Sequence, residues 1–327
     1  MVQSLALTGA TGFVGSHLLR GLLKRRLQVS CLLRTPDKLL LNQGMEKLLA
    51  DITCLEMLSK LEGKLRGCDT FIHLAAEINT KNIKQLYNVN VQGTLNLFKL
   101  AERAGIRRFI FISSANTHSN FKPSELPARE EMDPRPFMDY GKSKLEAEVE
   151  LSALAKSSPM DLVILKPVQI YGPGNDDYIG SMVESFLQNK GLRGMPFMSS
   201  LIKTNPIFIE DVIEAIFISS DYPGRFKGER FFLAGPEITT SYRIAKEIAN
   251  SLRENGLNLK IKLTEMMRVY AKDVVFLLKG KIRHWAYSGE KARKVLGFTP
   301  KVGIRQGMSR TVKWILNEKK NFINQSA

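Results

Sequence analysis

Three glycines at a fixed spacing constrain this chain more than any other feature. In Thr8-Gly9-Ala10-Thr11-Gly12-Phe13-Val14-Gly15 they follow the pattern Gly-x-x-Gly-x-x-Gly. The apolar run Ser4–Thr8 precedes them. Ser16–Arg26 follows, with Leu18, Leu19, Leu22 and Leu23 on one helical face. A strand, a glycine turn and a helix in that order open a βαβ unit. Gly9 permits the tight turn, Gly12 lets backbone approach a pyrophosphate, and Gly15 lets the helix pack closely on the strand. Unsatisfied N–H groups and the dipole at the helix start favour negative charge there. Gly9, Thr11, Gly12, Phe13, Val14 and Gly15 are therefore candidate cofactor contacts.

The rest of the first half repeats the rhythm. Short apolar runs at Gln28–Leu33, Thr70–Leu74, Arg108–Ser113, Leu162–Lys166 and Arg230–Leu233, with a shorter one at Lys47–Ala50, read as strands. Between them Ile83–Ala104 and Lys142–Ala155 have helical patterns. Strands alternating with helices predict an α/β fold, a doubly wound parallel sheet of the Rossmann kind. After Pro167 the pattern changes to a turn-rich Tyr171–Asn175, a helix over Ile179–Asn189 and a loop over Lys190–Asn205. Ile207–Ser219 reads as strand then helix, and Tyr242–Glu254 and Glu265–Leu278 as helices outside the sheet. The expected division is a dinucleotide-binding domain at 1–168, rejoined by 207–235. A smaller, mostly helical substrate lobe takes 169–206 and 236–327.

No run of about 18 apolar residues is present, so a spanning helix is not expected. The opening apolar run is short and lacks a cleavage site, unlike a signal peptide. Cys31, Cys54 and Cys68 are odd in number and lack metal-ligand spacing, which suits reduced thiols, no metal and a cytoplasmic location. The net charge of +16 is uneven: residues 251–327 hold 17 basic and 5 acidic side chains, and so carry +12 of it. Such a segment either forms a solvated lysine-rich surface or faces a phosphate-bearing substrate, an acidic membrane or nucleic acid. Nucleic acid is disfavoured because no nucleic-acid motif accompanies the charge. Met266, Met267, Val269, Tyr270 and Val274–Leu278 form an apolar stretch bordered by Arg268, Lys272, Lys279, Lys281 and Arg283. It reads as a packed lobe helix or as an amphipathic segment lying on an acidic bilayer.

Two further places bear on chemistry. The second strand ends in Arg34, with Lys38 close behind, where an acid would hold a ribose 2′-hydroxyl. A guanidinium there can contact a 2′-phosphate, which favours NADP, with NAD as second choice. Asp51-Ile52 follows a short apolar run, and its carboxylate can accept from an adenine amino group or cap a helix. Tyr140 and Lys144 lie four residues apart on one helix face. The ammonium can favour the phenolate and hold ribose hydroxyls. Upstream, Phe109–Ile112 runs into Ser113 and Ser114, hydroxyls able either to polarise a substrate carbonyl or merely to cap a strand.

These motifs, in this order, resemble the extended short-chain dehydrogenase/reductase family, also called the NAD-dependent epimerase/dehydratase family. The resemblance spans nearly the whole chain. It rests on Thr8–Gly15, His73–Ala76, Asn90–Leu97, Ile112–Ser114, Tyr140–Lys144, Lys166–Gly174 and Ile209–Val212. It implies that the catalytic hydroxyl is Ser114 rather than Ser113, acting with Tyr140 and Lys144. It also implies cofactor contacts at Leu74, Ala75 and Ala76, and at Pro167, Val168 and Ile170 beside the nicotinamide. The family commonly has Arg where this chain has Lys166, which keeps the charge but not the bidentate geometry.

Within the family, Arg34 and the Tyr287–Lys301 ending resemble the 3β-hydroxysteroid dehydrogenase and dihydroflavonol reductase branch. That branch implies NADPH-dependent reduction, or the reverse oxidation, on a steroid-, flavonoid- or lipid-like molecule. The alternative is a nucleotide-sugar epimerase or dehydratase with bound NAD, although Met198–Asn205 lacks the Gly-Asp-Gly stretch typical of it. An alternative of another class is a non-catalytic dinucleotide sensor or accessory subunit. The family also makes a homodimer an option.

Overall fold

Parallel strands covered on both faces by helices are apolar through their middles, and the central strands here are, with polar residues confined to their ends. The computed structural model describes residues 2–35, 45–78, 80–119, 121–175, 178–188, 190–194, 199–257, 259, 263–279 and 284–325. Lys38, Met198, Lys281 and Arg283 lie outside these. The strands are β1 (Ser4–Thr8), β2 (Gln28–Leu33), β3 (Met45–Leu49), β4 (Thr70–His73), β5 (Arg108–Ile112), β6 (Asp161–Pro167), β7 (Ile170–Tyr171), β8 (Lys203–Thr204), β9 (Ile207–Phe208), β10 (Lys227–Leu233) and β11 (Thr239–Thr240). Seven of them form one parallel sheet in the order β10-β6-β5-β4-β1-β2-β3. The order reverses between β1 and β4, so the crevice outside their carboxyl ends is the place where such sheets bind ligands. β7 pairs with β9 and β8 with β11 in two small outlying sheets.

Alternate side chains along each central strand serve opposite faces. Leu5, Leu7, Ile110 and Val163 lie on one face, in the same apolar core as Leu18, Leu19 and Leu22 of α1 (Phe13–Lys24). Ala6, Phe71, Phe109 and Phe111 face α2 (Leu55–Ser59), α3 (Glu62–Leu65), α5 (Thr94–Arg103) and α6 (Asp139–Ala155) on the other. α4 (Ile83–Tyr87) leads into α5, and α7 (Tyr178–Leu187) follows β7. The first face is shared with α8 (Ile209–Asp221), α9 (Ser241–Glu254) and α11 (Ile304–Gln325), whose Val212, Ile248 and Val312 join the same apolar core. The C-terminal helices thus share a core with the sheet. α10 (Leu263–Leu278) hangs on the outside by a few residues.

At the amino edge of the sheet, Arg108 is wholly buried. Its Nη1 donates to the carbonyls of Ser219 and Tyr222 at the end of α8, and its Nη2 to Gly224 O and Asp161 Oδ2, the last at 3.0 Å. Every expected strand is present, with ends shifted by up to three residues. Three features differ from the sequence reading. Ile83–Ala104 is not one helix: a π-helical turn, Asn88–Gly93, separates α4 from α5. Lys190–Asn205, expected as loop, holds a helical turn at Gly191–Gly194 and β8. α2 and α3 occupy a stretch without an expected element.

Candidate active site

The glycine turn meets the switch point of the sheet. Gly9 has φ +75°, and a Cβ on it would lie 2.7 Å from Ala75 N and 2.9 Å from Leu74 C. Only glycine fits there, because both the backbone conformation and the adjoining loop exclude a side chain. A Cβ on Gly15 would lie 2.0 Å from Gly9 O, so its absence lets α1 begin directly behind the turn. Gly12 differs, since a Cβ there would meet nothing closer than Gly9 O at 3.4 Å. Protein packing does not require glycine at 12; an approaching ligand would. No side chain caps α1 and no acid stands in its first turn, which leaves its amino end electropositive. Thr11 and Gly12 are exposed, and Phe13 and Val14 half-buried, along this opening. These residues fit a pyrophosphate.

The carboxyl edge of β5 sorts the two serines. Ser113 is buried and its Oγ donates to Glu148 Oε1 on α6. Ser114 is half-buried, and its Oγ accepts from Asn116 N at 3.1 Å, opening a short helical turn. A Cβ on Gly141 would sit 2.5 Å from Asn116 O, so a glycine after Tyr140 is what lets α6 close on the Ser114 segment. Lys144, one turn further on, is almost fully buried, with Nζ 4.2 Å from the centre of the Phe111 ring. Among the described residues no carboxylate lies within ion-pair distance of it. Burial brings its amine down to about 7, against a smaller upward pull from Glu148. Burial pushes the Tyr140 phenol up to about 12. The expected lowering of Tyr140 by Lys144 is not seen here, because desolvation of the phenolate outweighs any field from a partly neutral amine.

A hydrogen-bonded chain that the sequence reading did not assign joins the cofactor loop to this helix. Asn90 is buried in the π-helical turn. Its Nδ2 donates to Glu77 O at 2.9 Å and Ser143 Oγ at 3.0 Å, and its Oδ1 accepts from Glu77 N at 2.8 Å. Ser143 Oγ in turn donates to Tyr140 O. The widened turn sets Asn90 between the loop after β4 and the start of α6; such turns recur at functional sites. Thr94 Oγ1 donates to Asn90 O and therefore accepts from His73 Nε2 at 2.9 Å. His73 Nδ1 is then left to accept from Thr8 Oγ1 at 2.7 Å. Burial holds the His73 imidazole well below its ordinary value, so it is neutral. The signal for these residues was present: His73 ends an otherwise apolar strand and Asn90 interrupts an apolar helical pattern.

Lys166 does not face the cofactor crevice. It is buried, 2.9 Å from Glu148 Oε2 and 3.1 Å from His118 Nδ1. The same Glu148 oxygen accepts from Arg230 Nε at 3.2 Å, so a second cation from β10 supplements the single contact Lys166 makes. His118 is pushed down to about 3, by burial first and Lys166 second. Of the residues after β6, Pro167 ends the strand. Val168 is buried and donates its N–H to Leu233 O, and Ile170 is half-buried in β7.

At the adenine end, Arg34 is exposed just past β2. Asp51 Oδ1 accepts from Thr53 Oγ1 at 2.7 Å and Thr53 N at 2.9 Å. These bonds, with a smaller contribution from Arg34, lower its carboxyl. Ile52 packs under Gly93, where a Cβ would meet it at 2.6 Å, and its carbonyl accepts from Asn96 Nδ2. Leu74, Ala75 and Ala76 line the loop opposite Gly9, half-buried, with Ala75 N donating to Thr8 Oγ1.

Fold and site together define an enzyme of the doubly wound, dinucleotide-dependent class. The model of the NAD dependent epimerase/dehydratase family matches residues 5–234, and the chain belongs to that family. It is 28% identical to a UDP-glucose 4-epimerase of Vibrio cholerae over 97% of this chain and 96% of that one. Its structure resembles that of a Thermotoga maritima UDP-glucose 4-epimerase with UDP-glucose, at TM-score 0.78 and 22% identity. That likeness covers 97% of this chain and 99% of the other. A putative dihydroflavonol 4-reductase of Synechocystis is 31% identical, but over 53% of this chain and 51% of its own. The family expectation holds. The expected place in the hydroxysteroid and dihydroflavonol branch gains less support: this reductase relative matches about half the chain, and a 3β-hydroxysteroid dehydrogenase/decarboxylase of Arabidopsis thaliana is 23% identical over 76% of this chain and 62% of its own.

Proposed function

We propose that this enzyme interconverts epimers of a nucleotide-activated sugar by removing and returning a hydride at one carbinol carbon. The observation that carries this is the likeness to a 4-epimerase over nearly the full length of both chains, C-terminal region included. A dinucleotide, when bound, supplies the hydride acceptor and donor. Gly9–Gly15 and the amino end of α1 would hold its pyrophosphate, Asp51 and Ile52 its adenine, and Leu74–Ala76 the middle. Tyr140, Lys144 and Pro167–Ile170 would hold its nicotinamide half. Ser114 donates a hydrogen bond to the reacting oxygen. Tyr140 exchanges the proton with that oxygen: as phenolate, its own proton passed to the Lys144 amine, it accepts the hydroxyl proton as hydride leaves, and as phenol it returns that proton to the alkoxide as hydride comes back. Lys144, on the same helix face and near its titration point at neutral pH, can restore that proton.

Arg34 supports a second reading. An exposed guanidinium at the end of β2 suits a 2′-phosphate, and with it NADPH-dependent reduction of a ketone on a lipid-like molecule. One experiment separates the two. The purified protein is incubated with UDP-glucose or UDP-galactose and either NAD or NADP, and epimers are resolved by chromatography. In parallel, NADPH consumption is followed with sterol-like and aliphatic ketones. Epimer formation without net cofactor turnover is the expected result. Steady NADPH oxidation with a ketone, and no epimer from either sugar nucleotide, overturns the first reading in favour of the second.

A further inference from the structure

α10 is attached to the molecule by its polar side. The residues it turns inward are Glu265, Val269 and Asp273, spaced four apart and 7%, 6% and 2% exposed. Asp273 accepts from Ser199 Oγ, from Ser200 N at 2.7 Å and from Ser200 Oγ at 2.5 Å. The opposite face carries Met267, Tyr270, Val274 and Leu277, spaced three, four and three apart, which makes one continuous stripe. These four, with Leu278, are between 49% and 82% exposed. A surface helix of a globular protein is ordinarily built the other way, apolar side in. Contiguous apolar surface of this kind marks a contact site.

The charges on the helix identify the partner. Both of its acids, Glu265 and Asp273, are the inward residues, so the charges bordering the stripe are all positive: Arg268, Lys272 and, just beyond the end, Lys279. Lys272 is half-buried on the flank of the helix, with Nζ 5.3 Å from the Phe276 ring centre. The surrounding segment 251–327 carries +12 of the net charge. A second copy is a poor occupant, because a two-fold contact would set these cations against one another with no exposed acid on the helix to meet them. An anionic bilayer satisfies both features, with headgroups for the cations and an acyl boundary for the stripe. At 16 residues α10 is about 24 Å long, suited to lie in the interface. Among the described residues no helix is long and apolar enough to cross.

We propose that α10 docks the enzyme on an acidic membrane surface. Its stripe Met267, Tyr270, Val274 and Leu277 enters the acyl boundary while Arg268, Lys272 and Lys279 meet the headgroups. Because Asp273 holds the Ser199–Ser200 segment just before β8, docking sets that segment beside the lipid. This inference stands independently of the sugar-nucleotide reading.

The test is flotation of the full chain with vesicles of phosphatidylcholine alone or mixed with phosphatidylglycerol. Binding is expected to the acidic vesicles at about 0.1 M salt, and at least tenfold weaker at about 1 M, where screening is short-ranged. Phosphatidylcholine alone should also bind at least tenfold less. The pair Val274→Gln and Leu277→Gln replaces exposed side chains, so thermal unfolding should stay where it is while flotation is lost. The pair Arg268→Glu and Lys279→Glu should abolish the preference for acidic lipid. Absence of flotation at low salt, or flotation untouched by the glutamine pair, overturns the proposal. So does a dimer in sedimentation that the glutamine pair dissolves, which would assign the stripe to a second copy.

Discussion

Two cations are buried at opposite edges of the same sheet and are treated in opposite ways. Arg108, at the amino edge, reaches three backbone carbonyls at close range and the carboxylate of Asp161. Lys144, at the carboxyl edge, has an aromatic face for company and no ion pair within the described residues. A buried charge tied through two of its three nitrogens to a carboxylate and several carbonyls, with Nε alone unpartnered, is a structural fastening. One left without a counterion shifts its proton affinity and is available for chemistry. The contrast separates fold from function without reference to any relative.

Three measurements would sharpen or break it. The largest effect is expected for Lys144→Met: turnover should fall by about 10²–10⁴-fold, the usual range for a group that manages proton transfer. Its unfolding midpoint in urea at neutral pH should stay equal or rise, because an unpaired buried amine is removed. A large loss of stability in this variant would place Lys144 with the fastenings. Arg108→Leu should do the reverse. Asp161 keeps Arg225 at 2.7 Å, so the loss falls mainly on the carbonyls at the end of α8 and should cost about 1–3 kcal/mol, while molecules that remain folded keep their turnover. Smallest is a slope. The Lys144 amine titrates at about 7 when folded, against an ordinary value of 10.5. Between those values the unfolded chain binds a proton that the folded chain does not, so its contribution to stability rises with pH across that window. Subtracting the Lys144→Met profile from the wild-type profile should leave that rise; a flat difference would mean the amine keeps its ordinary proton affinity.

Much of the carboxyl edge was legible in the sequence because its parts are local. The glycine turn, the strand ending in serines and the Tyr140–Lys144 spacing each declare themselves within a few residues. The amino edge was not, because Arg108 acts through Ser219, Tyr222 and Asp161, which only the folded topology brings to it. The same holds for Asn90. Its reach to Glu77 and Ser143 depends on a widened helical turn that no proline or glycine pair announces. For α10 the apolar residues were visible and the orientation was not: the sequence gives no sign that Glu265 and Asp273 face inward. The choice between branches of the family rests on Arg34, the Tyr287–Lys301 ending and the missing Gly-Asp-Gly stretch, all local features, whereas the likeness to a 4-epimerase runs along nearly the whole chain.

Glu148 has a mechanical consequence. One carboxylate on α6 is fastened to Ser113 beyond β5, Lys166 of β6 and Arg230 of β10. Like a rivet through several plates, it makes the helix bearing Tyr140 and Lys144 part of the same rigid frame as the strands. The segment Ser199–Asn205 is held instead to other parts of the chain, by Asp273 and Tyr287. A motion of that segment would leave Tyr140 and Lys144 where they are, so a gating step there would be separable in rate from proton transfer at the chemical groups.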